Sequence, residues 1–247
     1  MKKFKKNYGW LPDVPDQRDY FYALRRPKLK LPSVIDLRAQ CSVVENQEAL
    51  GSCTAQALAG HLEFLDNHED NTYTDVSRLF IYYNERVLEG TVESVSGAAI
   101  RDGIKTLAKH GVCDEKKWPY VISRFADKPP TKCYTQALKH RIVSYHRLTT
   151  ITEMLTCLSE GYPFVFGFTV YESFENAKTA QSGIVPMPKK SERVVGGHAV
   201  MAVGFNQKDK RFIVRNSWGA TWGQQGYFTM PFKYVESLAR DFWTVRK

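Results

Sequence analysis

Apolar residues in the first half of the chain recur at helical spacing. Leu58, Leu62 and Leu65 stand at i, i+4 and i+7, and the other face of their segment is largely alanine. This pattern predicts a helix that begins near Ser52 and is buried on most sides. Two further helices are predicted over 76–88 and 99–110. Their inward positions are Leu79, Phe80, Tyr83 and Val87 in the first, and Ile100, Ile104, Leu107 and Ala108 in the second.

After about residue 141 the pattern changes to short runs rich in β-branched and aromatic residues, which are typical of strands. One short helix is predicted near 152–160. The predicted strands are 142–148, 164–171, 198–205, 211–216, 226–230 and 242–246. Helices followed by strands indicate an α+β chain with two segregated layers.

Residues 1–31, called the leader here, differ from the rest of the chain. They show no helical period and are predicted to be extended. They carry nine basic and three acidic groups, so most of the net charge of +9 lies in them. The remaining body is nearly neutral, which argues against a nucleic-acid-binding body. The leader is either a solvated, removable segment or an arm that touches phosphate or an anionic membrane.

Hydrophobic residues make up 43% of the 247 residues, which suffices for a folded core. No apolar run approaches the roughly 20 residues that span a membrane. The basic N-terminus lacks the apolar region of a signal peptide. We therefore expect a cytoplasmic protein or one exported by a non-classical route.

The five cysteines stand at positions 41, 53, 113, 133 and 157. An odd number leaves at least one free thiol in a chain without intermolecular bonds. No pair has C-x-x-C spacing, which argues against a thiol-based zinc or redox site. We expect Cys41 and Cys113 to lie close enough to bond in an oxidising setting.

Cys53 sits at the start of the most buried predicted helix, directly after Gly51 and Ser52. A helix N-terminus favours anions and can lower a thiol pKa from about 8.5 to about 3.5–7.5. The two small residues leave the backbone open to a ligand. The alternative is an inert core cysteine, which is common.

Two further segments carry candidate chemistry. His198 follows two glycines and opens an apolar strand, where a general base can face a cleft, although a structural histidine is the alternative. Asn216 stands at a predicted strand end close to Trp218. That arrangement can hold an imidazole and shield the hydrogen bond, whereas the alternative is an ordinary turn.

The three segments together are far more specific than each alone. His198 follows Cys53 by 145 residues, and Asn216 follows His198 by 18. This order and spacing resemble those of the papain-like cysteine peptidases. The resemblance covers nearly all of 32–247 and includes Leu31-Pro-Ser-Val-Ile-Asp-Leu-Arg38 as a start of the mature type. The leader sequence Tyr8-Gly-Trp-Leu-Pro-Asp is similar to that of a short, mostly bacterial branch.

The resemblance implies an α+β, papain-like fold of two lobes with a cleft between them. A helical lobe over about 40–140 would carry the nucleophile, and a β-rich, barrel-like lobe over about 141–247 would carry the other catalytic groups. Residues 32–247 would form the peptidase domain, preceded by the leader over 1–31.

The resemblance also implies residue roles. Cys53 would be the nucleophile, His198 the general base and acid, Asn216 the residue that orients His198, and Gln47 an oxyanion-hole donor. No metal or organic cofactor is implied, and the partner is a peptide or protein substrate. The implied substrate-binding residues are Gly51, Ser52, Gly97, Ala98, Gly197, Ala199 and Trp218.

Three departures from the family pattern leave substrate preference open. Leu50 replaces a disulfide cysteine, Thr54 replaces an aromatic residue, and Ser96-Gly97-Ala98 replaces a glycine pair. The rival hypotheses are a transglutaminase-like acyl transferase with the same Cys–His pair, a catalytically inactive binding protein, and a protein anchored by its basic arm.

We expect the leader to lie along the cleft and to keep the chain a weakly active zymogen. An extended stretch of 15 residues reaches about 50 Å, which is ample for a domain of this size. The basic clusters around Lys2–Lys6 and Arg25–Lys30 would flank the bound part and offer sites for removal. The expected apolar anchors are Trp10, Leu11, Tyr20, Phe21 and Tyr22.

Overall fold

The structure is a computed structural model that describes residues 8–23, 31–69 and 71–247. None of the helices in these ranges is long and apolar enough to cross a membrane. The α-helices are α1 (Cys53–Glu69), α2 (Arg78–Glu89), α3 (Ile100–His110), α4 (Thr131–Ala137), α5 (Ile151–Ser159), α6 (Glu172–Glu175), α7 (Ala177–Ser182) and α8 (Phe232–Leu238).

The strands form one large antiparallel sheet and one small parallel pair. The strands are β1 (Trp10–Leu11), β2 (Val34–Asp36), β3 (Ala98–Ala99), β4 (Ser144–Leu148), β5 (Phe164–Tyr171), β6 (Val194–Asn206), β7 (Arg211–Arg215), β8 (Tyr227–Pro231) and β9 (Ala239–Arg246). Within the large sheet the order is β4-β9-β5-β6-β7-β8, and β2 pairs with β6. The small pair joins β1 to β3.

Helix α1 lies between the helical layer and the sheet. It contacts α2 and α3 on one side and β6 on the other. Its alanine face allows this close approach, and its side chains are buried from Cys53 to Asp66. The N-terminus of α1, where Cys53 lies, is thereby held against the strand that carries His198.

Local sequence signals explain where the neighbouring helices begin and end. The Ser77 side chain accepts a hydrogen bond from the Phe80 N–H at the start of α2, and Gly90 ends that helix with a φ of 70°. At α5, Thr150 and Glu153 form a reciprocal capping box. These caps fix the helices at the bounds that the apolar pattern predicts.

The predicted α+β architecture is confirmed, with differences in detail. The predicted helices correspond to α1, α2, α3 and α5, and each predicted strand falls on one of the strands β4–β9. Val87 is wrong as an inward position of α2, because its side chain is 48% exposed near the helix end. Helices α4, α6, α7 and α8 were not predicted, since each spans two turns or fewer and shows little apolar period.

All five cysteines are free, so the expected bond between Cys41 and Cys113 is not formed, and the two thiols have different partners. The Cys41 thiol donates to the Leu37 carbonyl at 3.7 Å. The Cys113 thiol instead forms a side-chain hydrogen bond with Cys133. The reason is α4, which packs Cys133 into the same core as Cys113.

The described part of the leader, residues 8–23, is extended along the body, as predicted. Its backbone pairs with β4, because the Tyr22 N–H donates to the Arg147 carbonyl at 2.9 Å and the Arg147 N–H donates to Tyr20 at 2.7 Å. Trp10 is buried and Tyr22 is half-buried. The other three expected anchors are wrong, since their side chains are exposed: Leu11, Tyr20 and Phe21. Both basic clusters lie outside the described residues.

Candidate active site

The Cys53 thiol lies at the N-terminus of α1, at the boundary between the helical layer and the sheet. Its Sγ accepts a hydrogen bond from the Ala199 N–H of β6 at 3.3 Å. The side chain is fully buried. This burial raises the pKa of the Cys53 thiol to about 12, although the hydrogen bonds from the Ala199 and Gly9 backbones oppose the rise.

His198 lies on β6, directly before the residue that contacts the Cys53 thiol. Its Nε2 is 2.8 Å from Asn216 Oδ1, and both side chains are buried. The Trp218 ring stacks on the imidazole with 5.1 Å between centroids and an interplanar angle of 25°. The amide fixes the ring plane and the indole covers it. The geometry therefore leaves Nδ1 as the imidazole nitrogen on the side opposite Asn216.

Gln47 is buried and bonded to the turn that follows Asn216. The Ser217 hydroxyl donates to Gln47 Oε1 at 2.6 Å, and Gln47 Nε2 donates to the Leu50 carbonyl at 2.9 Å. The Gln47 N–H also donates to the Ser217 carbonyl at 2.9 Å. The loop before α1 and the loop after β7 are thus joined through one amide side chain.

Six of the seven expected substrate-binding residues lie against the thiol, the imidazole or the leader: Gly51, Gly97, Ala98, Gly197, Ala199 and Trp218. Ser52 differs, because its hydroxyl bonds the Tyr120 hydroxyl at 2.6 Å. Tyr120 in turn donates to the Gln47 carbonyl at 2.9 Å. The Ser52 side chain therefore supports the loop that carries Gln47.

The leader backbone passes directly over the Cys53 thiol at Gly9. The Ala98 N–H donates to the Gly9 carbonyl at 2.7 Å. A methyl group at Gly9 would lie 1.7 Å from the Gly51 carbonyl oxygen, so only glycine fits this approach. The backbone of Gly97 also lies close to the leader, since a methyl group on Gly97 would lie 2.1 Å from the Gly9 carbonyl oxygen.

The residues on either side of Gly9 fill the cleft in opposite directions. The Tyr8 ring lies 5.9 Å from the His198 ring and 6.2 Å from that of Trp218, and its hydroxyl donates to Glu175. The Trp10 indole enters a pocket beside Gly197 on the other side. Tyr8 and Gly9 were missed as cleft residues in the sequence, because neither belongs to an apolar run.

The Trp10 pocket contains residues that sequence reasoning also missed. Trp10 Nε1 donates to Asp241 Oδ2 at 3.2 Å, and the ring lies against Gly167. Asp241 has a φ of 58° where the pairing of β9 with β5 shifts register, as in a bulge. No sequence motif marks this position, since the register of two distant strands creates it.

Beyond Trp10, the leader is held by ion pairs and hydrogen bonds. Arg147 bonds Asp19 at 2.8 Å and Asp241 at 2.9 Å, and Arg101 pairs with Asp19 at 2.5 Å. Asp13 accepts from the Arg101 N–H at 3.1 Å. Burial, and then repulsion from Asp241, raise the pKa of Asp13 to about 6. Arg101 lies on α3, whereas Arg147 and Asp241 lie on the sheet, so the leader bridges both layers.

Within the described ranges, no cluster of three or more His, Cys, Asp or Glu side chains could hold a metal ion. The chemistry of the site is that of a thiol, an imidazole and two amides. A thiol placed beside an imidazole that an amide orients is suited to nucleophilic attack with proton transfer.

Comparison with known proteins agrees with this geometry. Residues 31–237 match the family of papain family cysteine proteases. An uncharacterised peptidase C1-like protein of Acanthamoeba polyphaga mimivirus is 43% identical over 98% of this chain and 87% of its own length. Pro-cathepsin H of Mus musculus is 27% identical over 80% of this chain, which spans 59% of that longer protein.

Solved structures give the same result. The crystal structure of xylellain, a cysteine protease from Xylella fastidiosa, has a TM-score of 0.92 and 41% identity, covering 100% of this chain and 98% of that one. Procathepsin L2 of Tenebrio molitor has a TM-score of 0.76 at 20% identity, over 98% of this chain and 78% of that one, and supports the fold alone. The chain therefore belongs to the papain family of cysteine proteases.

Proposed function

We propose that this protein hydrolyses peptide bonds through Cys53, with His198 as general base and acid. The observation that carries the proposal is the alignment of Cys53 Sγ, the β6 backbone and the His198–Asn216 pair at the end of one buried helix. A helix N-terminus stabilises the thiolate, and the imidazole accepts the thiol proton.

In the proposed reaction the thiolate attacks the substrate carbonyl carbon and forms a tetrahedral intermediate. The Cys53 N–H and the Gln47 carboxamide donate hydrogen bonds to the oxyanion, and such a donor typically lowers the barrier by about 2.7–4 kcal/mol. The His198 imidazolium then protonates the leaving amine as the C–N bond breaks, and water hydrolyses the thioester. Asn216 remains neutral and keeps the imidazole plane in position.

The second part of the proposal is that the leader inhibits the peptidase domain formed by residues 32–247. Gly9 covers the thiol, and its carbonyl accepts the hydrogen bond of the Ala98 N–H. A substrate backbone therefore cannot reach either group while the leader is bound. Burial raises the pKa of the Cys53 thiol to about 12, and a buried thiol of this kind is not ionised at neutral pH. Release of the leader would return water to the thiol and lower its pKa.

Cleavage of a quenched fluorescent peptide, with products identified by mass spectrometry, tests the proposed reaction. A peptidase yields two peptides with a new amine and a new carboxylate. A transglutaminase-like enzyme would instead incorporate an added amine without cleaving the backbone, and an inactive binding protein would do neither. Either of these outcomes contradicts the proposed hydrolysis.

A further inference from the structure

A small cavity lies beside the His198–Asn216 pair, between α1, β6 and the end of β7. Its volume is about 10 Å³, which is roughly the room that one water molecule needs. Two of the residues that line it are Asn216 and Gln56, and Gln56 follows Cys53 by three residues on α1. None of the described leader residues lines this cavity, so release of the leader leaves its walls in place.

The Asn216 amide leaves its NH2 group to face the cavity. Asn216 Oδ1 accepts from the Ser217 N–H at 2.9 Å and lies 2.8 Å from His198 Nε2. Nδ2 therefore points away from both of these groups. It is buried, and no described residue accepts a hydrogen bond from it. A buried amide N–H group without an acceptor is unfavourable, and ordered water commonly satisfies such groups in folded proteins.

The Gln56 side chain offers the complementary group. Burial raises the pKa of Tyr120 to about 12, and the Ser52 hydroxyl and the Gln56 carboxamide oppose this rise. A carboxamide does so by turning its N–H groups toward the phenol oxygen, because a donor stabilises the phenolate. Oε1 is then the Gln56 atom left to face the cavity. It is buried and accepts no hydrogen bond from the part of the chain that the structure describes.

One water molecule would satisfy both atoms and hold the Asn216 amide in its observed orientation. Gln56 Oε1 can only accept, so the water donates to it and keeps a lone pair for Asn216 Nδ2. The amide would lose this acceptor if it rotated or moved away from the imidazole. A bridge of this kind stabilises nearly as well as a direct hydrogen bond.

Gln56 is itself held by the loop that carries Gln47. The Tyr120 hydroxyl, which the Gln56 carboxamide faces, bonds the Ser52 hydroxyl at 2.6 Å and donates to the Gln47 carbonyl at 2.9 Å. The bridge would therefore join the loop of the proposed oxyanion donor to the amide that bonds the imidazole. Each member of this chain of contacts is a neutral polar group.

We propose that a buried water molecule bridges Asn216 Nδ2 and Gln56 Oε1, and that Gln56 is a positioning residue for the His198–Asn216 pair. The kinetic part of this proposal rests on the proposed peptidase function. Gln56 acts through Asn216, so loss of its acceptor should slow the chemical step and leave substrate binding unchanged.

A high-resolution crystal structure of the parent chain tests the water directly. We expect one water at about 2.7–3.2 Å from both Asn216 Nδ2 and Gln56 Oε1. The same water should be lost in Gln56→Met, whose side chain has a similar length but no carbonyl acceptor, because a buried water needs two or more polar partners. A cavity without water in the parent chain would overturn the proposal.

Kinetics test the positioning role in the full chain carrying Gly9→Ala, whose added methyl group displaces the leader from the thiol. Gln56→Met should lower kcat about 3- to 10-fold with little change in KM, as expected for the loss of one hydrogen bond. Combined with Asn216→Ala, it should lower kcat no further, because the amide through which it acts is gone.

Gln181→Met is the matched control, since Gln181 is exposed on α7, and it should leave kcat unchanged. A general effect of Gln56 on folding would instead lower activity equally with and without the Asn216 amide. That result, or an unchanged kcat in Gln56→Met, would overturn the positioning role.

A readout without catalysis keeps this proposal distinct from the proposed function. In the full chain carrying Cys53→Ala, NMR-detected exchange of the His198 Nε2 proton with solvent should become about 3- to 10-fold faster when Gln56→Met is added. Faster exchange, with no peptide hydrolysis by chains that retain Cys53, would reject the peptidase function and support the role of Gln56. Hydrolysis, with exchange that Gln56→Met leaves unchanged, would do the reverse.

Discussion

The Ala98 N–H donates to the Gly9 carbonyl at 2.7 Å, and this bond joins the leader to the strand beside the candidate nucleophile. The pair continues as a parallel ladder, with Trp10 opposite Ala98 and Leu11 opposite Ala99. The leader therefore uses a backbone edge in the cleft while Gly9 covers the thiol. The segment 9–11 thus pairs with the backbone of β3 and at the same time covers the Cys53 thiol.

Gly9→Ala in the full chain should increase the rate of small-peptide hydrolysis. Its methyl group would lie 1.7 Å from the Gly51 oxygen, and overpacking of this kind typically costs about 1–3 kcal/mol. Such a cost weakens leader docking roughly 5- to 150-fold. Initial rates at equal enzyme concentration measure the effect.

Val14→Ala is the matched control for the leader variant, because its side chain is 77% exposed. It should leave the rate unchanged. If Gly9→Ala retains the thermal stability of the parent and is no more active, the leader is a packing element and the inhibition proposal is wrong.

Cys53→Ala should reduce peptide hydrolysis to background while preserving the fold. The loss should be at least about 10³-fold, because no other group in the site can form the thioester. Cys41→Ala is the matched control, since that thiol bonds the Leu37 carbonyl outside the cleft. Rates in the Gly9→Ala background, together with thermal melting curves, provide the measurement. Activity retained in Cys53→Ala would end the thiol mechanism.

His198→Ala and Asn216→Ala should differ in severity. Loss of the imidazole removes both the base and the acid, so activity should fall as far as in Cys53→Ala. Loss of the amide removes only the 2.8 Å bond that orients the ring, and we expect a decrease of about 10- to 100-fold in kcat with little change in KM. An Asn216→Ala variant as inactive as His198→Ala would assign the amide more than an orienting role.

Much of the fold follows from sequence because its signals are local. The alanine-rich face of α1, the capping box at Thr150 and the aromatic runs of β5 each specify an element within a short window. The resemblance to papain-like peptidases also supplied the Cys53, His198 and Asn216 set, which the structure brings together.

The remainder depends on contacts that no local window contains. Asp241 reaches the Trp10 pocket only because β9 shifts register against β5. Tyr20 and Phe21 look like anchors in sequence, but their side chains remain exposed on the body surface. An apolar residue in an extended segment is buried only where the partner surface offers a cavity.

Leader docking should weaken as pH rises. In the docked state burial and Asp241 raise the pKa of Asp13 to about 6, whereas an ordinary aspartate has a pKa of about 3.9. Asp13 therefore binds its proton more tightly in the docked leader than in the free one. The contribution of this proton to the free energy of docking is fully present below about pH 4 and is lost as pH rises through about 6.

The rate of the parent chain divided by that of Gly9→Ala reports docking separately from the pH dependence of the chemistry. This ratio should rise from about pH 5 to about pH 8. Asp13→Asn, which cannot titrate, should flatten the rise between pH 5 and pH 7. A ratio that rises on acidification would show that the leader is released by acid, contrary to the charges in the cluster.

The most direct test of the account is labelling of the full chain with a thiol-directed epoxide inhibitor, with peptide mapping of the product. We predict one label, on Cys53, formed slowly in the parent chain and much faster in Gly9→Ala, with activity lost in proportion to labelling. A label on another residue, or peptide hydrolysis that persists when Cys53 is fully modified, would contradict it.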